Sequence, residues 1–125
     1  MQFRSVLIAA IAVMAAIAPP ARADGDVPAG EAVFKKNCMI CHTTEAGKNK
    51  IGPSLSGIVG RHSASLPDFA YSDAMKKADK TWDNETLNTY LTNPRALVPG
   101  TKMIFVGLKN DQDRQNIIAY LATLK

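Results

Sequence analysis

The chain has 125 residues, of which 46% are hydrophobic and 21% charged, and its formal net charge is +4 at pH 7. This length accommodates one domain, and the composition excludes collagen-like, low-complexity and highly charged disordered proteins. The small positive excess is not gathered into a block of lysines and arginines, which indicates that nucleic acid is not the partner.

The N-terminal residues have the pattern of a secretory signal peptide. Arg4 precedes a nearly unbroken apolar run at residues 6–18, and the small residues within 21–23 provide a cleavage site. A retained membrane anchor is the alternative, but the run is well short of the ~20 residues that cross a bilayer. We therefore predict a cleaved signal peptide at residues 1–23 and a domain without a membrane anchor at 24–125.

Apolar residues recur at helical spacing in four segments, and no segment is a convincing strand. Asp26 can cap the first helix, and Pro28 suits its first turn. The last helix has an apolar face that includes Ile117 and Leu121, and its pattern predicts that Arg114 is exposed. The predicted helices are residues 26–37, 72–77, 83–92 and, at the C-terminus, about 111–124.

A long segment without periodic signal lies between the first two helices. Residues 43–70 contain four glycines and two prolines, and a loop of this length in a compact domain is normally functional. The predicted fold class is an all-α domain with long loops. Its apolar residues alone do not explain how those loops are held.

The only two cysteines, Cys38 and Cys41, are followed directly by His42. Residues i and i+3 share a face on a helical turn, so both thiols can add to one edge of a porphyrin while the histidine faces the iron. Cys-x-x-Cys-His is the attachment motif of c-type haem. A redox dithiol, a structural zinc site and a chance match are the alternatives, but no strand precedes the motif and no second cysteine pair completes a zinc site. We predict one covalently bound haem c with its iron.

The iron then needs a second axial ligand, or it keeps an open position. Met39 lies between the cysteines and cannot reach the opposite face, and Met75 lies in a predicted helix where packing is its expected role. His62 is expected to be an exposed loop histidine. Met103 follows a turn-rich approach and has Phe105 beside it to exclude water. These features favour Met103 as the ligand, with Met75 and His62 as the alternatives.

A series of motifs in order resembles the class I cytochromes c, near the mitochondrial protein and its soluble bacterial relatives. The resemblance implies the small cytochrome c fold, in which the N- and C-terminal helices cross near Gly30 and Phe34 and long loops wrap around one haem. It covers essentially all of residues 25–125. The motifs are Gly-Asp-Val at 25–27, Cys-Met-Ile-Cys-His-Thr at 38–43, Gly-Pro at 52–53, Gly-Arg at 60–61, Tyr-Ser-Asp-Ala at 71–74, Thr-Trp at 81–82, Tyr-Leu at 90–91, Asn-Pro at 93–94, Pro-Gly-Thr-Lys-Met-Ile-Phe at 99–105 and Ile-Ala-Tyr-Leu at 118–121.

The resemblance also implies roles for individual residues. His42 is the proximal iron ligand and Met103 the distal one. The carbonyl of Pro53 accepts the other N–H of His42, and Tyr90 donates to the methionine sulfur. The remaining implied cofactor contacts are Arg61, Tyr71 and Trp82, as donors to a buried haem propionate, with Thr101 and Phe105 next to Met103. For Tyr71 and Trp82 the alternative is packing in the core.

Three departures from the family pattern are visible. The loop after His42 is about one residue shorter and lacks the family's loop histidine, which leaves its internal bonding open. Met75 replaces a polar residue near the haem, which predicts a drier interior. Several lysines that ring the haem edge in the family are replaced, and the rim that remains is thinner. The replacements are Ala32, Asn37, Ala96 and Asn110, and the remaining rim is Lys36, Lys50, Arg95, Lys102 and Lys109.

Together these features imply a soluble, monomeric one-electron carrier rather than an enzyme, because an iron with both axial positions filled has no open site for oxygen or peroxide. The expected location is the bacterial periplasm. The expected partners are a quinol–cytochrome c reductase and a terminal oxidase of the respiratory chain or a photosynthetic reaction centre, which dock at the haem edge. The alternative is a haem protein with a labile Met103 that acts as a peroxidase or gas sensor. A third possibility is a fixed module of a larger complex.

Overall fold

Five helices form within residues 25–125, the part of the chain that the computed structural model describes. The predicted signal peptide lies outside those residues. No strand forms in the described part, where a single antiparallel bridge joins His62 to Thr81. The predicted all-α fold is therefore confirmed. The helices are α1 (Val27–Asn37), α2 (Asp73–Ala78), α3 (Asn84–Thr92), α4 (Pro94–Leu97) and α5 (Asp111–Leu121).

The helices begin where their capping residues indicate. The carboxylate of Asp26 accepts a hydrogen bond from the backbone N–H of Ala29 at 2.7 Å, which satisfies a donor at the helix start. The sequence pattern misses α4, because Asn93 ends α3 and its own side chain caps the next turn. The last helix ends at Leu121, a turn earlier than predicted. The same capping by a side chain occurs at Ser72, Asp83 and Asn110.

Helices α1 and α5 cross in direct contact, as the resemblance implies. A Cβ atom on Gly30 would lie 1.9 Å from the carbonyl oxygen of Asn116, so only glycine fits at the crossing. The rings of Phe34 and Tyr120 pack beside it with centroids 5.6 Å apart, and Ile117 is completely buried. The contact between the two helices therefore depends on one residue without a side chain.

Replacing Gly30 with alanine is expected to lower the free energy of unfolding by about 3 kcal/mol, since the added methyl group meets a backbone oxygen that cannot turn away. This loss exceeds the modest gain that alanine gives inside a helix. Urea unfolding of the haem-containing protein measures it. The exposed Lys36→Ala in the same helix is the control and should change stability little. Equal stabilities for the two variants would rule out the close crossing.

Hydrogen bonds, rather than regular structure, hold the loop that follows α1. The hydroxyl of Thr43 donates to the carbonyl oxygen of Lys48 at 2.6 Å, and the side-chain oxygen of Asn49 accepts from the backbone N–H of Ser54 at 2.9 Å. These bonds hold the loop from within. A threonine and an asparagine supply the internal contacts.

Arg114 contradicts the sequence prediction, because it is buried at 7% exposure rather than exposed on α5. Its guanidinium donates to the side-chain oxygen of Asn88 at 2.9 Å, to the carbonyl oxygen of Leu108 at 2.7 Å and to the carboxylate of Asp111. A buried cation is tolerated when its donors are paired. The helical pattern could not reveal these partners, because two of them belong to other parts of the fold.

Candidate functional site

The cysteine–histidine motif forms a tight turn directly after α1. Cys38 caps the C-terminus of the helix, and its carbonyl oxygen accepts from the backbone N–H of Cys41 at 3.0 Å and from that of His42 at 2.9 Å. Both cysteines are partly buried. Burial, and next the neighbouring Cys41, raises the pKa of the Cys38 thiol to about 11. The turn therefore presents two cysteine side chains and an imidazole within one short segment.

The orientation of His42 is determined by the backbone of the following loop. Its Nδ1–H donates to the carbonyl oxygen of Pro53 at 2.7 Å. Since a carbonyl can only accept, the proton sits on Nδ1 and the lone pair on Nε2 is left to bind a metal. Burial is the main cause that lowers the pKa of His42, which keeps the ring neutral at neutral pH. The ring is therefore in the form that a metal ligand requires.

Gly52 lets the loop pass close to this ring. A Cβ atom at residue 52 would lie 2.3 Å from Cε1 of His42, and the Gly52 N–H also donates to the carbonyl oxygen of Cys41 at 2.8 Å. The Gly-Pro motif marks this place in the sequence, but only the carbonyl of Pro53 was expected to act there. The contact with the imidazole adds a second residue that positions the ring.

We expect Gly52→Ala to lower the free energy of unfolding by about 2–3 kcal/mol and to change the midpoint potential, because the methyl group displaces the imidazole or the loop. The control is Gly57→Ala, whose Cβ would meet no atom within 4 Å and whose φ of +66° carries only the ordinary strain of a left-handed residue. Urea unfolding and a redox titration of both variants test the difference. Indistinguishable results for the two would show that residue 52 does not approach the ring.

Met103 is held by a closed set of hydrogen bonds. The hydroxyl of Tyr90 donates to the sulfur of Met103 at 3.3 Å and lies 3.2 Å from the hydroxyl of Thr101. That threonine oxygen accepts from the backbone N–H of Met103 at 3.3 Å. Burial raises the pKa of Tyr90, so it remains a donor. The thioether accepts one hydrogen bond and keeps a second lone pair for a metal.

The segment that carries Met103 alternates between the two sides of the chain. Met103 and Phe105 are partly buried against the core, whereas the side chains between and beyond them are solvated, with Ile104 93% and Val106 84% exposed. This alternation is typical of an extended segment. Phe105 therefore lies on the same side as the sulfur, where the sequence analysis expects it to exclude water.

The other candidate ligands lie elsewhere. Met39 is 47% exposed within the cysteine turn, and Met75 packs against the hydrophobic core. His62 is exposed, and its Nε2 lies 2.9 Å from a carboxylate oxygen of Asp79. These positions agree with the packing and loop roles that the sequence analysis expects for Met75 and His62.

Arg61, Tyr71 and Trp82 come together although they are distant in sequence. The backbone N–H of Trp82 donates to the carbonyl oxygen of Arg61 at 2.9 Å. Burial lowers the pKa of Arg61, and the nearby Tyr71 acts in the opposite direction. The Arg61 guanidinium donates to the carbonyl oxygens of Ser54 and Ser56 at 2.8 and 3.2 Å. The Trp82 ring is buried and lies 4.9 Å from that of Tyr90, so the core alternative for Trp82 also has support.

The donor set fits a c-type haem. Two thiols lie on one turn, a neutral imidazole has its Nδ1 occupied, and a partly buried thioether is already hydrogen-bonded. Residues 25–125 contain no group of three or more His, Cys, Asp or Glu side chains that could hold a metal ion. The structure therefore does not support a structural zinc site. None of the described helices has the length and apolarity that a membrane crossing needs.

Two basic residues of the predicted rim are tied to backbone carbonyls. The ammonium group of Lys50 donates to the carbonyl oxygen of Met39 at 2.8 Å, which joins the loop to the cysteine turn. Lys102 donates to the carbonyl oxygen of Ala70. Two exposed isoleucines accompany Lys50, namely Ile40 at 80% and Ile51 at 75% exposure. The surface beside the motif is therefore partly apolar, which the basic-rim prediction does not include.

Comparison with known proteins agrees with this site. The family model for cytochrome c matches residues 27–125. Cytochrome c2 of Rhodomicrobium vannielii is 49% identical over 121 residues, which are 96% of this chain and 96% of the relative. Cytochrome c2 of Blastochloris viridis is 47% identical over 92% of this chain and 90% of its own. Cytochrome c of Euglena viridis is 46% identical over 81% of this chain and 99% of its own.

These similarities extend over both halves of the candidate site, since the family match includes the cysteine turn and the Met103 segment. They do not support the peroxidase or gas-sensor alternative. The chain therefore belongs to the cytochrome c family, and it is an electron carrier with covalently bound haem c.

Proposed function

We propose that Cys38 and Cys41 attach the haem and that His42 and Met103 bind its iron from opposite sides. The observation that carries this proposal is the hydrogen bond from Tyr90 to the Met103 sulfur at 3.3 Å. This hydrogen bond orients the thioether of Met103, whose alternative role is packing. The bond from His42 Nδ1 to Pro53 supports the second half of the proposal, because it leaves Nε2 for the iron.

Haem iron supplies reversible one-electron chemistry when bound. The residues of this chain set how readily it occurs. As is general for cytochromes c, a methionine ligand raises the potential relative to a second histidine. Tyr90 and Thr101 hold the sulfur in one position, and Phe105 excludes water beside it. Arg61, Tyr71 and Trp82 then act as donors toward a propionate, which offsets the cost of burying that carboxylate.

The finer cellular role also follows as a proposal. Residues 1–23 serve as a signal peptide, and residues 24–125 then act as a soluble, monomeric carrier in the periplasm. A quinol–cytochrome c reductase supplies the electron, and a terminal oxidase or photosynthetic reaction centre accepts it. Two of the compared relatives are bacterial proteins named cytochrome c2, which supports an exported bacterial carrier. Docking occurs at the face that carries Lys50 and the exposed isoleucines.

A visible spectrum and a salt series test this function. The ferric protein should show the far-red charge-transfer band of methionine bound to iron at neutral pH, and the absence of that band would refute the Met103 assignment. Electron-transfer rates with reductase and oxidase should fall as ionic strength rises, but with a shallow slope, because the basic rim is thin and salt screens exposed charges. Rates that do not depend on salt would refute the electrostatic part of the docking proposal.

A further inference from the structure

Arg114 lies at the junction of three parts of the fold. Its three donor groups bind the side chain of Asn88 on α3, the carbonyl oxygen of Leu108 and the side chain of Asp111 at the start of α5. The arginine side chain is only 9% exposed. A planar guanidinium suits such a junction, because it offers several donors in a rigid arrangement.

We call the segment that carries Met103 the distal loop (residues 99–107). Leu108 directly follows this loop. Leu108 is buried, and its backbone is held on both sides. Its N–H donates to the carbonyl oxygen of Leu91 at 2.7 Å, and its carbonyl oxygen accepts from Arg114 at 2.7 Å. The other end of the loop is held at Val98, which is 2% exposed and donates to the carbonyl oxygen of Pro94 at 2.9 Å.

Between these ends the distal loop makes no backbone–backbone hydrogen bond to distant parts of the described chain, although Gly107 lies against the backbone of Thr92. The backbone bonds of the described residues within it are local, such as that from Phe105 N–H to the Met103 carbonyl at 3.2 Å. Ile104 and Val106 extend into solvent. The position of the loop therefore depends on its two ends and on the side-chain bonds of Thr101, Lys102 and Met103. The C-terminal end is only five residues from Met103.

We propose that Arg114 is a positioning residue for Met103, which it serves by anchoring the C-terminal end of the distal loop. The inference rests on the proposed role of Met103 as an iron ligand. Without the guanidinium, the buried carbonyl of Leu108 loses its donor. The loop end then keeps the Leu108 N–H bond to Leu91 and the bond from the Lys109 ammonium group to the Thr92 carbonyl oxygen at 2.7 Å. The loop then opens more often, and Met103 leaves the iron more often. The bonds to Asn88 and Asp111 are lost as well, so loop opening has to be measured separately from global stability.

Binding of added imidazole to the ferric holoprotein measures this opening, since imidazole takes the position that Met103 leaves. Arg114→Met retains the apolar stem but removes every donor. We expect it to raise the limiting rate of imidazole binding about tenfold, the change expected for loss of one charge-assisted hydrogen bond. Arg114→Lys, which retains the charge and one donor, should give an intermediate rate and also serves if the methionine variant does not fold.

The matched control is Val33→Ala on α1, which removes packing at the core but no hydrogen bond of the distal loop. It should lower the urea midpoint with little change in the imidazole rate. Hydrogen exchange of the same holoproteins gives a second reading. The backbone amides of residues 99–108 other than Pro99 should exchange about tenfold faster in Arg114→Met, as the same bond loss predicts, and by a larger factor than the amides of α1.

Each outcome decides the inference. If Arg114→Met raised the imidazole rate no more than Val33→Ala does for the same loss of global stability, Arg114 would be an ordinary stabilising residue and the inference would be wrong. Unchanged exchange in residues 99–108 would also overturn it. Failure of the ligand assignment is distinguishable, because the wild-type protein would then lack the far-red band.

Discussion

Met103→Leu is expected to abolish the far-red charge-transfer band and to lower the midpoint potential by on the order of 0.2 V, within the wide range that axial ligands span in haem proteins. Leucine has nearly the same volume as methionine, so packing is largely preserved. What is lost is the sulfur that accepts from Tyr90 at 3.3 Å. A spectrum and a redox titration of the purified variant measure the two effects.

Met75→Leu is the matched control for this change. Met75 is also partly buried and packs against the core, and the substitution is the same. It should retain the band and shift the potential far less. If Met75→Leu lost the band while Met103→Leu retained it, the distal ligand would be Met75 and the assignment would be wrong.

Replacing Cys38 and Cys41 together by serine is expected to leave no haem bound after denaturation and to prevent the domain from folding stably. The core of residues 25–125 contains eleven buried hydrophobic residues, and a domain of about 100 residues has limited burial of its own. The cofactor therefore supplies a large part of the buried apolar surface. Haem staining of a denaturing gel and far-ultraviolet circular dichroism measure the two outcomes.

Met39→Ala is the control for the cysteine change, because Met39 lies between the cysteines and is 47% exposed. It should retain covalent haem and helical content. Each single cysteine variant should retain haem through the remaining thioether. Covalent haem in the double variant would exclude the cysteine turn as the attachment site.

Local patterns in the sequence predict much of the fold. Asp26 and Asp83 mark helix starts because a short carboxylate side chain can reach the N–H two or three residues ahead. Two features that the sequence patterns did not predict have a common cause. The short helix α4 is too brief for a periodic pattern, and Arg114 is buried by partners on other elements. Contacts between distant residues leave no mark in the spacing along one helix.

The sequence by itself determined the cofactor class, because Cys38, Cys41 and His42 are neighbours and their chemistry requires only one turn of chain. It also indicated Met103 by elimination and resemblance. Only the tertiary structure decided how these groups are held. The loop at Gly52 passes against the imidazole, Tyr90 on α3 reaches the sulfur, and residues far apart along the chain meet there because burial and hydrogen bonding, not sequence proximity, select their partners.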